Sequence, residues 1–351
     1  MTTTTIIPRA DIGTGVAPGA APENNAGFYI ADPALIVAAQ VAMELGQPLL
    51  LTGEPGTGKS TFADYMAAVL APEWFAADMP SADRSPLEVR TFSTKSSSSA
   101  TDLFYRYDSL RRFQAGQPNS GMSNDNRDYL SFEALGRALL ETLPADAPTV
   151  QALLRDLSSH AGPRRSVVLI DEIDKAPRDF PNDILTEIDK WSFEVPEVQT
   201  AERRIARVEA ARALLPVVVL TSNSEKNLPA AFLRRCVFHH IGFPDRDTRR
   251  DRLVQIVRAN IAQATGRLAE QAIDFFYDVR ALPDVEKPPA TAELVAWIRW
   301  LQAQARRKGL PADAPLGRLE PAMLKASLGV LAKNDRDLLR AQALVDRLPA
   351  R

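Results

Sequence analysis

The chain has 351 residues, 45% of them apolar and 25% charged, which suits a globular protein too long for one comfortable core and large enough for two domains. Its net charge of -2 gives no electrostatic case for a dedicated nucleic-acid binder, although a local basic stripe stays open. A single cysteine, Cys236, excludes an internal disulfide, and no apolar run reaches the roughly 18 residues that would span a bilayer, so no membrane insertion is expected.

Residues 1–27, rich in Thr, Gly, Ala and Pro, read as a disordered N-terminal tail. Met1–Ile7 lacks the basic start and apolar stretch of a signal peptide, so a cytoplasmic protein is the default. Order is expected from Phe28. After Asp32 and Pro33 the apolar residues Leu35, Ile36, Ala39 and Met43 fall on one face of a helix ended by Gly46. Pro48–Thr52 is a short apolar strand running into a glycine-rich turn, and Lys59–Leu70 is a second helix. Leu87–Phe92 reads as a strand, Ser93–Ala100 as a polar loop, and Thr101–Gln114 as a helix with Leu103, Phe104, Tyr107 and Leu110 on one side. Residues 115–130 look like a loop, followed by helical stretches at Phe132–Thr142 and Thr149–Ser158.

Ser166–Ile170 is an unbroken apolar strand, the pattern of a strand covered on both faces. Phe180–Trp191 is a helix, and Phe193–Val208 could be a hairpin or an extended insertion. Pro216–Thr221 and Val237–Ile241 are further strands. From Asp247 onward the pattern is helical and rich in Ala, Arg and Leu, broken by Pro283, Pro288, Pro289 and Pro311. Alternating strands and helices, then helices alone, predict a parallel sheet wrapped by helices and a smaller helical domain. The expected divisions are 1–27, 28–243 and 244–351.

Gly53-Glu54-Pro55-Gly56-Thr57-Gly58-Lys59-Ser60, followed by Thr61, fits the phosphate-binding pattern G-x-x-x-x-G-K-[ST]. The three glycines let the backbone curl so that several N–H groups face phosphate oxygens, and the positive end of the next helix faces the same way. Lys59 can reach the β- and γ-phosphates of ATP, and the Ser60 hydroxyl can ligate Mg2+. Asp171, at the end of the apolar strand Ser166–Ile170, is placed to hold the magnesium. Glu172 beside it is a candidate general base for the attacking water, while Asp174 stays ambiguous and outside the catalytic set. Val217–Asn223 repeats the design, with Asn223 a candidate to position that water. Arg234 and Arg235 lie just before the last strand, and Arg235 is the better candidate for an arginine that stabilises charge on the transferring phosphoryl group.

In this order and spacing the four motifs resemble the AAA+ superfamily. Gly53–Ser60, Leu169–Ala176, Thr221–Asn223 and Leu233–Cys236 look like its MoxR-like branch, over roughly Phe28–Lys308. The resemblance implies an α/β fold, an αβα P-loop core with a five-stranded parallel sheet, followed by a small C-terminal α-helical lid. It implies a homo-oligomeric, usually hexameric ring with ATP between subunits. The activity implied is ATP hydrolysis driving chaperone-like remodelling or maturation of a protein client, often with a partner carrying a von Willebrand factor A domain. Lys59 and Ser60 correspond to Walker A, Asp171 and Glu172 to Walker B, Asn223 to sensor 1 and Arg235 to the arginine finger. The chain departs from the pattern at the lid: where an arginine is often found, Glu286–Glu293 carries none, and Lys287 is the basic residue that could replace it. A nucleic-acid-acting relative of the clamp-loader or helicase-loader type is the alternative, disfavoured by the charge. A non-hydrolysing switch is the other, opposed by Glu172 and Arg235.

Lesser features read as ordinary structure. Ser93–Ser99, with Lys95, is a flexible loop. His239 and His240 alternate across a strand and form no metal site. Cys236 is a small hydrophobe, and Trp297, Trp300 and Leu301 are lid core. Arg306–Lys308 closes a helix. Arg203 and Arg204 could face a ring pore.

Overall fold

The computed structural model describes residues 29–76, 86–117, 121–200, 204–224, 228–261, 266–311 and 314–348. The expected tail, 1–27, lies outside the described residues. The described chain divides into a sheet unit, Asp32–Thr52 with Lys59–His240, and a helical unit, which takes Gly53–Gly58 together with the described residues from 241 to 348 and residues 29–31.

In the sheet unit α1 (Pro33–Leu45) starts where the Asp32 carboxylate accepts the Ala34 N–H and stops at Gly46, whose φ of 60° is left-handed. Next come β1 (Leu49–Thr52) and α2 (Lys59–Tyr65), which continues through a π turn at Met66–Leu70 into α3 (Ala71–Trp74), then β2 (Glu88–Ser93). β3 (Tyr105–Tyr107), α4 (Ser109–Ala115) and β4 (Leu130–Phe132) form a small excursion. The expected helix over Thr101–Gln114 is therefore corrected. Tyr105 pairs antiparallel with Phe132, and the Asp108 carboxylate accepts the Arg111 N–H, so a new helix begins at Ser109. Leu110, placed with Leu103, Phe104 and Tyr107 on one side of that helix, is 68% exposed, whereas Leu103 and Phe104 are buried. The loop expected over 115–130 contains a 3-10 turn at Asn126–Tyr129.

α5 (Ala134–Leu140) and α6 (Pro148–Leu153) are shorter than their periodicity suggested. β5 (Ser166–Asp171), α7 (Phe180–Asp183) and α8 (Leu185–Lys190) follow. The segment after Trp191 is a hairpin, β6 (Ser192–Gln199) against β7 (Ile205–Glu209). β8 (Val217–Ser222), α9 (Ala230–Leu233) and β9 (Val237–His240) complete the unit.

Five strands form one parallel sheet in the order β2-β5-β8-β1-β9. β1 and β8 are buried at every residue and β5 at all but its last, because helices cover both faces of the central strands. The edge strand β9 alternates between half-buried and exposed. Leu50, Val168, Ile170, Val218 and Leu220 pack with Leu135, Phe180 and Phe232 on one face. Because all five strands run the same way, Thr52, Asp171 and Ser222 end at one edge of the sheet, where open α/β sheets bind ligands.

The helical unit holds α10 (Arg250–Asn260), α11 (Arg267–Arg280), α12 (Thr291–Arg307), α13 (Pro321–Ser327) and α14 (Asp335–Val345). Its own core includes Leu253, Phe276, Leu294, Trp297, Ile298 and Leu328. Trp297 and Leu301 are buried there as expected, and Trp300 packs against the cluster. No described helix is long and apolar enough to cross a membrane.

Candidate active site

The phosphate loop joins β1 to α2. Gly53, Gly56 and Gly58 have φ of 148°, 74° and 88°, backbone states that side chains rarely tolerate. The Thr57 hydroxyl donates to the Glu54 carbonyl at 2.8 Å and braces the curl.

Beyond the loop, within the sheet unit, the expected residues converge. Lys59 is 7% exposed, and its Nζ donates to Asn223 Oδ1 at 3.0 Å. That bond joins the start of α2 to the residue just past β8. The Ser60 hydroxyl donates to Asp171 Oδ1 at 2.7 Å. Lys59, Ser60, Asp171 and Asn223 thus come together although they are drawn from three separate segments.

Two residues outside the expected set complete the arrangement. Thr221, fully buried, donates from its hydroxyl to Asp171 Oδ1 at 2.5 Å and accepts the Glu172 N–H at 2.8 Å. It therefore links both members of the acidic pair. Asp174 accepts the backbone N–H of Asn223 through Oδ1 at 3.2 Å and so helps hold the main chain at that residue. A hydroxyl at the end of an otherwise apolar strand was the available signal for Thr221. Nothing local distinguished Asp174 from a turn residue.

Glu172 has φ 57°, a left-handed state that costs a non-glycine residue about 1–3 kcal/mol. Strain of this kind persists where the surroundings over-determine the backbone, and the Thr221 bond is one such determinant. The Glu172 carboxylate meets Lys175 Nζ at 2.5 Å, and that hydrogen bond raises the lysine above its ordinary pKa. The pair is half exposed, at 54% for Lys175 and 41% for Glu172, so it is a weak and breakable contact.

Arg235 stands apart. Its Nε donates to Asp189 at 2.9 Å and its Nη1 to the Ala231 carbonyl at 3.2 Å. It makes no hydrogen bond or ion pair to Lys59, Ser60, Asp171, Glu172 or Asn223 and is 46% exposed. Arg234 is exposed as well. Cys236 is half-buried, donates to the Phe232 carbonyl, and has its thiol pushed up to about 12 by burial, consistent with an inert side chain.

Whether the residues fit magnesium follows from the donor set. Ser60 Oγ and Asp171 Oδ1 lie 2.7 Å apart at the end of the central strands. No cluster of three His, Cys, Asp or Glu side chains able to hold a metal exists among the described residues. Magnesium is commonly held by one or two protein oxygens plus phosphate and water, so one hydroxyl and one carboxylate fit it. His240 Nδ1 shares a hydrogen bond with Thr52 Oγ1 at 3.0 Å. A separate cavity of about 820 Å³ is lined by Arg112, Asp125, Arg127, Gln151 and Glu197. Its Arg127 is paired with Asp125.

A family model described as an AAA domain of the dynein-related subfamily matches residues 48–236. No curated protein matches the chain.

Proposed function

The chain belongs to the dynein-related subfamily of AAA domains and is an ATPase, and on that premise we propose that it works as a MoxR-like ring, hexameric, that couples hydrolysis at subunit interfaces to the remodelling or maturation of a protein partner. The reading assigns 28–243 to the ATPase core and 244–351 to the lid, and places the protein in the cytoplasm.

The observation that carries the shared-site part is the position of Arg235. A finger acting on its own subunit's nucleotide would sit among the phosphate-side residues. Arg235 is instead exposed, and its guanidinium bonds Asp189 and the Ala231 carbonyl, which supports its use by a neighbouring subunit. Leu110 and Phe113, 68% and 69% exposed on α4, support contact with a protein rather than with nucleic acid. A von Willebrand factor A domain protein is the partner class that the motif resemblance suggests.

Within a subunit the N–H groups of residues 53–61, apart from Pro55 which has none, and the Lys59 ammonium hold the phosphates. Ser60 and Asp171 would hold magnesium, which when bound would neutralise charge on the phosphate oxygens. Asn223, whose backbone N–H is held by Asp174 and whose side chain is bonded to Lys59, orients a water in line with the γ-phosphate. Glu172 turns from Lys175 to accept the proton of that water as its oxygen attacks phosphorus and the β–γ bridge breaks. The neighbour's Arg235 stabilises the charge that then develops.

The test is ATP hydrolysis per subunit against protein concentration, for wild type, Arg235→Ala and Glu172→Gln. A rate that rises with concentration, and falls in both variants by at least ~10³-fold while ATP still binds, is expected. A rate independent of concentration and untouched by Arg235→Ala would remove the neighbour's arginine from the mechanism.

A further inference from the structure

Arg280 closes α11, and its guanidinium is committed on three sides. One amino group donates to Glu54 Oε2 at 2.8 Å, the other to the Pro289 carbonyl at 2.5 Å. Its Cζ lies over the ring of Phe243, 3.7 Å from the centroid. The side chain is only 15% exposed, against 44% for Glu54. Phe243 in turn packs on Phe276 at 5.8 Å and Tyr277 at 6.5 Å, at the core of the helical unit. Glu54 is the second residue of the phosphate loop. The pair thus connects that loop to the packed interior of the helical unit, to which both residues belong.

The rest of the loop is closely backed in the same unit. A Cβ at Gly56 would lie 2.8 Å from the Ala290 side chain, and one at Gly53 would lie 2.5 Å from the Ile241 carbonyl oxygen. These contacts are steric limits. The Arg280–Glu54 bond is a charged grip with direction. An exposed ion pair of two long side chains contributes little, because ordering them offsets the attraction. Here Pro289 and Phe243 already hold the guanidinium, so only the glutamate must be ordered. Lys287, the basic residue of Glu286–Glu293, makes no hydrogen bond or ion pair to the loop among the described residues. Lys287 is exposed, with its backbone N–H directed to Asp337, and alanines 290 and 292 face Gly56.

We propose that Arg280 is a positioning residue for ATP hydrolysis, acting through Glu54 to hold the phosphate loop in its nucleotide-binding curve. It touches the loop's outer side chain and not the nucleotide. The grip preorganises the inward N–H groups, which bind phosphate in the ground state and the transition state alike. Its loss therefore weakens ATP binding without slowing the bound reaction. The inference needs only the ATPase activity, and is independent of ring size and partner.

The experiment measures KM, kcat and the Kd for a fluorescent ATP analogue in Arg280→Ala, Glu54→Ala and the double variant of the full chain. Each single variant is expected to raise KM and Kd about 10-fold with kcat within about twofold of wild type, the loss of one charge-assisted hydrogen bond. The double variant is expected to be no worse than either single one, since both remove the same bond. Glu54 is the half-exposed partner, so Glu54→Ala keeps the test decisive if Arg280→Ala disturbs the packing around Phe243. Wild-type KM in Glu54→Ala, additive losses in the double variant, or a kcat loss confined to Arg280→Ala would each overturn the proposal. The last would place Arg280 on the nucleotide itself.

Discussion

At the scale of single residues, the most constrained charge in the sheet unit is Glu141, which lies outside the candidate site. It is 1% exposed and meets Arg90 at 2.8 Å, Arg137 at 2.6 Å and Arg164 at 2.8 Å. Burial alone would raise its pKa. The bonds from Arg164 and Arg137 and the charge of Arg90 outweigh that and hold the carboxyl below its ordinary 4.5. A depressed carboxylate contributes stability that is present above the unfolded value and lost as pH falls through the folded one. Glu141→Gln is therefore expected to destabilise the fold by about 1–3 kcal/mol at pH 7, because it removes the buried carboxylate that three partly buried arginines share, while Glu88 still pairs with Arg90 and Arg164. Urea unfolding midpoints of the two proteins should converge as pH drops below 4.5, and a gap constant with pH would refute the assignment. The same scale divides what was legible at the site. Lys59, Ser60, Asp171 and Asn223 stood out because each occupies a fixed place in a short pattern. Thr221 did not, because its role is a pair of bonds to two neighbours 50 and 49 residues away.

At the scale of elements, strands buried on both faces were readable as apolar runs, and β1, β5 and β8 fell where those runs lie. The error came in the excursion between β2 and β5. There Leu103, Phe104, Tyr107 and Leu110 have helical spacing, yet the chain forms a strand and then a separately capped helix. Periodicity could not reveal the pairing partner β4, which lies more than twenty residues on. α5 closes the excursion by approaching the Phe104 carbonyl at Gly136, where a Cβ would sit 1.8 Å from that oxygen. The Glu133 N–H donates to the same carbonyl at 2.9 Å. Alanine would gain about 1 kcal/mol of helix propensity there. The overlap costs more, about 1–3 kcal/mol or above. Gly136→Ala should thus lower the melting temperature, and a rise would show that α5 can move away without loss.

At the scale of the whole molecule, two separate cores stabilise two units, and a loop of six residues inside the first half of the chain groups with the second. Trp297, 1% exposed and hydrogen-bonded from Nε1 to Ser327 Oγ at 2.8 Å, is the largest side chain fully buried. Trp297→Ala is expected to cost about 3–5 kcal/mol. It should lower one transition in a calorimetric scan and leave the other in place, as separate cores require. A single transition shifted as a whole would mean that the two cores unfold together. The sequence by itself determined the chemistry and the class of fold. A phosphate loop, an acidic strand end and apolar central strands are local patterns, set by what one stretch of backbone needs from its own side chains. Tertiary structure alone decided which distant groups share a bond: Thr221 with Asp171, Asp174 with Asn223, Asp189 with Arg235, and Glu54 with Arg280, 226 residues apart. Those pairings depend on the order of strands and on helix packing, which bring together side chains whose separation along the chain carries no trace of their contact.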